Sequence, residues 1–225
     1  MSILKKTITG LCKAGLMVLC DVDWHALDSI PKEGPLVVYA NHTGTIEAPV
    51  VYCALAPRPK VTGFGKAEIW KNKFLSFIFN IWEVIPVNRG EGDLNALKKA
   101  YQAMEDGYIF GLAPEGTRSK DGTLLRAHGG AVMIALRSDC PLIPVAHWGG
   151  ANFGSNIKKA RRTHMELRVG RKFKLNQNIE KVTKEVRQAM ADEMMYQLAK
   201  LLPEEYRGAY ADLENATEKY IEFLD

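Results

Sequence analysis

The stretch Leu36-Val37-Val38-Tyr39-Ala40-Asn41-His42-Thr43-Gly44-Thr45-Ile46-Glu47 decides the fold. Its first five residues are an unbroken apolar run. The turn cluster Ile30-Pro31-Lys32-Glu33-Gly34-Pro35 bounds them upstream, which is the pattern of a short strand buried on both faces. A polar loop follows without any spacer, and residues 49–56 read as helix, with Pro49 tolerated in the first turn. Strand, polar loop and helix in that order form the repeating unit of an open α/β sheet. Such sheets place ligands where their strands end.

The same alternation continues outward. Residues 61–65 and 84–87 read as strands, with an aromatic helical region at 69–82 between them. An amphipathic helix at 94–104 precedes a second buried strand, 108–112, which opens into Ala113-Pro114-Glu115-Gly116-Thr117-Arg118-Ser119. Residues 130–137 read as helix and 142–146 as strand; a further strand, 165–169, follows the basic loop 158–162. Val182, Val186, Met190, Met194, Leu198 and Leu202 step by four into Pro203, so a long helix with core methionines is expected there. No repeat or flexible linker interrupts the pattern. The expected fold is α/β: a three-layer αβα domain with a central, mostly parallel or mixed sheet, preceded by an N-terminal amphipathic helix.

Composition agrees with a globular chain. Of 225 residues, 47% are apolar and 25% charged, which excludes a mainly disordered or collagen-like protein. The net charge of +4 is too small to argue for nucleic acid, but it is unevenly spread. Residues 211–225 carry five acids against Lys219, leaving the remainder at +8, as suits an anionic substrate or membrane surface as well as a chance distribution. Cys12, Cys20, Cys53 and Cys140 are far apart and read as reduced apolar residues of a cytoplasmic protein. No run of about 20 apolar residues predicts a spanning helix.

Residues 3–19 place Leu4, Ile8, Leu11, Gly15, Val18 and Leu19 at helical spacing, with Lys5, Lys6 and Lys13 on another side. Such a stripe either packs on its own domain or lies in a membrane interface with lysines at anionic headgroups.

Two strand-to-loop junctions carry the candidate chemistry. His42 and Glu47 are about 500° apart on a helix, so they can meet only if His42 stays in the loop and Glu47 begins the next helix. A carboxylate on one imidazole nitrogen would fix the tautomer and leave the other to take a proton. Alternatively, Glu47 only complements the helix dipole and His42 is a structural loop residue. In the second junction, Gly116 frees the backbone to approach a ligand and Arg118 offers a fork for phosphate. Lys66 and Arg89 lie at the ends of two other strands and could converge on the same anion. The five histidines are scattered, without HExxH or a cysteine cluster, so no metal site is expected, and no GxSxG suggests a serine hydrolase.

Together these segments resemble the glycerolipid acyltransferase family, the bacterial 1-acylglycerol-3-phosphate acyltransferases in particular. Asn41-His42-Thr43-Gly44-Thr45-Ile46-Glu47 stands where the family has NHxSxxD. Lys66 to Trp70, with Ile85-Pro86-Val87-Asn88-Arg89-Gly90, resembles the second block. Pro114-Glu115-Gly116-Thr117-Arg118-Ser119 matches the third block, FPEGTRS, from its proline onward, and Pro141-Leu142-Ile143-Pro144-Val145-Ala146 resembles the fourth. The likeness runs from about residue 22 to 210. Glu47 departs from the usual Asp by one methylene, Ala113 from Phe, and Gly44 from Ser.

The resemblance implies transfer of a fatty acyl group from acyl-CoA or acyl-carrier protein to the hydroxyl of a lysophospholipid, with 1-acylglycerol-3-phosphate giving phosphatidate. Other acceptors, glycerol 3-phosphate among them, or a non-catalytic lipid-binding role remain alternatives. It implies His42 as general base and Glu47 as its orienting partner. Lys66, Arg89, Glu115, Gly116, Thr117 and Arg118 would form the substrate-binding set, with backbone N–H groups around Gly116, together with Lys66, at the oxyanion. His147, after the fourth-block strand, is either a runner-up base or, the favoured reading, a structural histidine. No resident cofactor is implied; the acyl donor is a co-substrate. Three segments are expected: a membrane-associating helix, 1–20; the acyltransferase domain, 21–210; and an acidic tail, 211–225. The expected location is cytoplasmic, peripheral on the inner face of the cell membrane.

Overall fold

A computed structural model describes residues 2–88, 93–179 and 181–224. Helix α1 (Ile3–Leu19) leads into β1 (Cys20–Val22). There follow β2 (Leu36–Ala40), α2 (Glu47–Leu55), β3 (Val61–Lys66), α3 (Lys73–Ile81), β4 (Ile85–Val87), α4 (Leu94–Glu105) and β5 (Ile109–Leu112). The second half contains α5 (Gly130–Ser138), β6 (Leu142–Trp148), α6 (Phe153–Lys158), β7 (Thr163–Val169), β8 (Phe173–Leu175), α7 (Lys184–Ala199) and β9 (Ile221–Phe223).

The strands form one sheet in the order β1-β7-β6-β2-β5-β3-β4, with β8 on β6 and β9 on β8. From β6 to β4 every pairing is parallel; β7 runs antiparallel to β6, and β8 and β9 are antiparallel additions. The mostly parallel three-layer reading is therefore the architecture found. Strand β2 shows why. Leu36 and Val38 point into a core shared with Leu16 of α1, Val50 and Leu55 of α2 and Ile78 of α3. Val37 and Tyr39 point the other way, among Ala100 and Met104 of α4, Val132 of α5 and Met190 and Met194 of α7. A strand apolar on both faces needs helices on both, and each such side chain contributes about 1.5–3 kcal/mol on burial. The buried Tyr39 hydroxyl donates to the Met194 carbonyl at 2.9 Å.

Local chemistry moves several boundaries. The aromatic region is split: Asn72 accepts from the N–H groups of Phe74 and Leu75 and starts α3 afresh after a 3₁₀ turn at Ala67–Lys71. Helix α7 ends at Ala199, because Leu201 and Leu202 close tighter bonds to Leu198 and Ala199.

Strands β1, β8 and β9 are three residues each, too short for a periodic signal. Strand β9 lies inside the segment read as an acidic tail, and that reading is corrected. Phe223 pairs with Phe173, ring centroids 6.2 Å apart. Buried Glu193 accepts from the Thr217 hydroxyl at 2.5 Å and from the N–H groups of Lys219 and Tyr220. Glu218 pairs with Lys200 at 2.6 Å.

Helix α1 docks by a mixed face, with Lys5 and Thr9 beside Ile8, Cys12 and Leu16. Lys5 is buried and pairs with Glu83 at 2.5 Å, and the Trp82 indole donates to Thr9 at 3.0 Å. The expectation that Lys5 meets headgroups is therefore corrected. Leu4, Leu11 and Val18, seven residues apart, face outward, with Val18 71% exposed.

Candidate active site

Strand β2 lies between β5 and β6, parallel to both, with Tyr39 opposite Leu112 and Ala40 opposite Val145. The loops after these three strands therefore converge on one edge. There a cavity of about 630 Å³ opens, walled by Val38, Leu55, Val61, Phe64 and Phe79 and by Tyr52 stacked on Trp82 at 4.2 Å. His42, Glu47, His128 and His147 line the same cavity. Apolar walls with a few convergent polar groups are the usual make-up of a small-molecule site.

Helix α2 begins at Glu47, while His42 stays in the loop, as the 500° argument requires. Glu47 is 2% exposed. Its Oε1 accepts from the Thr43 N–H at 3.1 Å and from the Thr43 hydroxyl, and its Oε2 is buried without a hydrogen bond from the described residues. Small Gly44 allows the carboxylate to fold back, since a Cβ there would stand 3.1 Å from Oε1.

The peptide joining Asn41 to His42 is held from both sides. Glu115 Oε2 accepts the His42 N–H at 2.6 Å, and its Oε1 accepts the Leu125 N–H at 2.8 Å. Asn41 exchanges side-chain bonds with the His147 backbone, donating to its carbonyl at 2.8 Å and accepting from its N–H at 3.0 Å. The His147 Nε2–H donates to the Asn41 carbonyl at 2.5 Å.

Glu115 was expected in the substrate-binding set. It is wholly buried beneath the loop, where it anchors the His42 and Leu125 backbones. Burial pushes its carboxyl up to about 7, against the two N–H bonds that favour the anion; the nearby Glu47 charge raises it further.

The other expected residues divide. Gly116 and Thr117 are exposed and line the cavity. Gly116 has φ +65°, a left-handed turn that favours glycine, and its N–H is committed to the Ala113 carbonyl at 3.1 Å. That N–H is therefore not available to an oxyanion, and the expectation is corrected at this atom. Lys66, at the end of β3, pairs with Glu68 at 3.0 Å and is half exposed. Arg118 is exposed and makes no ion pair among the described residues. Neither cation is among the cavity-lining residues. Arg89 lies outside the described residues.

The sequence pattern did not single out the cavity wall or the locking role of Asn41. The aromatic content of residues 69–82 was the available signal for the wall. Among the described residues, no group of three His, Cys, Asp or Glu side chains is placed to hold a metal ion.

A family model described as Acyltransferase matches residues 21–148. The chain is 25% identical over 143 residues to the 1-acyl-sn-glycerol-3-phosphate acyltransferase of Bacillus subtilis (strain 168), covering 64% of this chain and 69% of that one. It is 28% identical over 155 residues to the N-acylphosphatidylethanolamine synthase of Arabidopsis thaliana, covering 64% of this chain and 55% of that one. The fold resembles the crystal structure of the 1-acyl-sn-glycerophosphate acyltransferase from Thermotoga maritima, with TM-score 0.64 and 23% identity, covering 88% of this chain and 79% of that one.

Proposed function

Because this chain belongs to the acyltransferase family, we propose that it transfers a fatty acyl group from acyl-CoA or acyl-carrier protein to the hydroxyl of 1-acylglycerol-3-phosphate, giving phosphatidate. The observation that carries this reading is the apolar cavity opening onto the His42 loop and onto Glu47 at the start of α2. An acyl chain fits the wall, and the reacting thioester then lies beside a histidine and a buried carboxylate.

In the proposed step, His42 takes the proton from the acceptor hydroxyl while Glu47 orients the ring and stabilises the imidazolium. The acceptor oxygen bonds to the thioester carbonyl carbon, the C–S bond breaks, and the imidazolium returns its proton to the departing thiolate. No acyl-enzyme is formed. Arg118 and Lys66, with Arg89, would gather the acceptor phosphate outside the apolar cavity, and Thr117 would shape the mouth between them. With the Gly116 amide committed, the Thr117 N–H is the proposed backbone donor to the oxyanion.

The test is an assay of acyl-CoA and acyl-carrier protein against lysophosphatidate, glycerol 3-phosphate, lysophosphatidylethanolamine and phosphatidylethanolamine, reading free thiol and acylated product. Turnover is expected to be greatest with lysophosphatidate. Lysophosphatidate binding without thiol release from either donor would identify a lipid-binding protein instead, and preference for another acceptor would reassign the substrate.

The same reading places the protein on the inner face of the cell membrane. No helix among the described residues is long and apolar enough to cross a membrane. Leu4, Leu11 and Val18 of α1 and Phe74 and Phe77 of the neighbouring α3 are exposed apolar side chains. Arg162 donates to the Met17 and Cys20 carbonyls, which puts the basic 158–162 segment at the end of α1. Replacing Leu4, Leu11 and Val18 together with Gln leaves the docked face intact. Sedimentation with phosphatidylglycerol-rich vesicles is expected to weaken at least about tenfold, each side chain contributing on the order of 1 kcal/mol. Undiminished binding would remove α1 from the membrane contact.

A further inference from the structure

We propose that His147 is a positioning residue for the transfer reaction, fixing the backbone of the base loop through the Asn41–His42 peptide; this rests on His42 being the base. The peptide's two polar ends are gripped by different elements. Its N–H belongs to the buried Glu115, at 2.6 Å, and its C=O accepts from His147 Nε2, at 2.5 Å. Asn41 adds two further bonds to the backbone of the same histidine, at 2.8 and 3.0 Å.

A carbonyl oxygen only accepts, so Nε2 carries the hydrogen and the other ring nitrogen is bare in the neutral form. That Nδ1 is buried and receives no hydrogen bond from the described residues. His147 is 1% exposed, so its ring cannot rotate out to trade one partner for another. Burial holds the ring below the usual imidazole range, which the Glu47 charge and the Asn41 bond only partly oppose. The result is a neutral donor locked to the carbonyl one bond before the base.

This geometry separates His147 from the role of alternative base. A base must release and take up a proton at the nitrogen facing substrate, whereas Nε2 here is spent on the backbone. Glu115 and His147 thus act as opposed clamps on one peptide plane. Without the second clamp that plane can rotate, and His42 moves with it. A misplacement near 1 Å in a reacting group can cost about 10²-fold in rate.

The experiment compares His147→Gln, which keeps an N–H donor, with His147→Leu and His147→Met, which do not, each checked for folding by thermal melting. Steady-state kinetics with lysophosphatidate and acyl-CoA are measured from pH 5 to 9, alongside His42→Ala. The expected pattern is a kcat loss of about 10- to 100-fold in Leu and Met with KM within twofold, and recovery to within about threefold in Gln. The acid limb of the Gln variant's profile is expected to match the parent, because the proposed base is unchanged. Parent-like kcat in folded Leu or Met variants overturns the clamp, as does equal loss in Gln and Leu. A missing acid limb in Gln would instead make His147 the base. If Leu does not fold, Met against Gln carries the comparison. Full activity in His42→Ala would end the base assignment itself, whatever the His147 variants do.

Discussion

His42→Ala is expected to lower kcat for lysophosphatidate acylation by about 10³–10⁴-fold, with the fold and acceptor binding retained. The size follows from the step assigned to it. The hydroxyl of a glycerol backbone is barely ionised at neutral pH, so without a positioned base the thioester meets an alcohol instead of an incipient alkoxide. His42 sits in a loop and its backbone is held by Glu115, so losing the imidazole leaves the surrounding bonds intact. The check is turnover by product formation, with thermal melting to confirm the fold. Near-parental kcat would remove His42 from the chemistry.

Glu47→Gln is expected to reduce kcat by about 10³–10⁴-fold, up to the roughly 10⁴-fold that the wrong tautomer costs in a carboxylate–histidine pair. The amide keeps the shape, and its oxygen can still accept from Thr43, so a loss reports the missing charge rather than a collapsed loop. Glu47→Asp is the companion. The carboxylate starts at the first residue of α2 and folds back beneath Thr43 and Gly44. Shortening it by a methylene is expected to keep kcat within about tenfold, because charge is preserved and the small loop can follow. An active Gln variant would overturn the orienting role. Total loss in Asp with a folded protein would show that the longer reach is required here.

Much of the fold was legible because the central strands are buried on both faces. Residues 36–40, 109–112 and 142–146 are continuous apolar runs of strand length, and that composition leaves few alternatives to a parallel sheet between helices. The short strands β1, β8 and β9 were not legible. Phe173 and Phe223 are fifty residues apart, and only their cross-strand contact makes strands of them. Charge misled in the same place: the acids of residues 211–225 suggested a tail, while neighbouring backbone N–H groups tie that segment to Glu193.

The candidate site divides in the same way. That His42 stays in a loop and Glu47 begins a helix was readable because the constraint is local, a five-residue loop leading to a helix N-terminus. The jobs of Glu115 and Lys5 were not. Both are charged residues whose burial depends on distant partners, His42 and Leu125 for one and Glu83 for the other.

By itself the sequence determined the α/β alternation, the two polar junctions and the amphipathic N-terminal helix, because each is written in residues that are neighbours along the chain. Only the tertiary structure decided which face of α1 is outward, that Glu115 lies beneath the loop, and that His147 grips the Asn41–His42 peptide. Those outcomes are set by which buried polar groups find partners across the sheet. An unpaired buried donor or acceptor costs about 1–3 kcal/mol, a cost that no local pattern records.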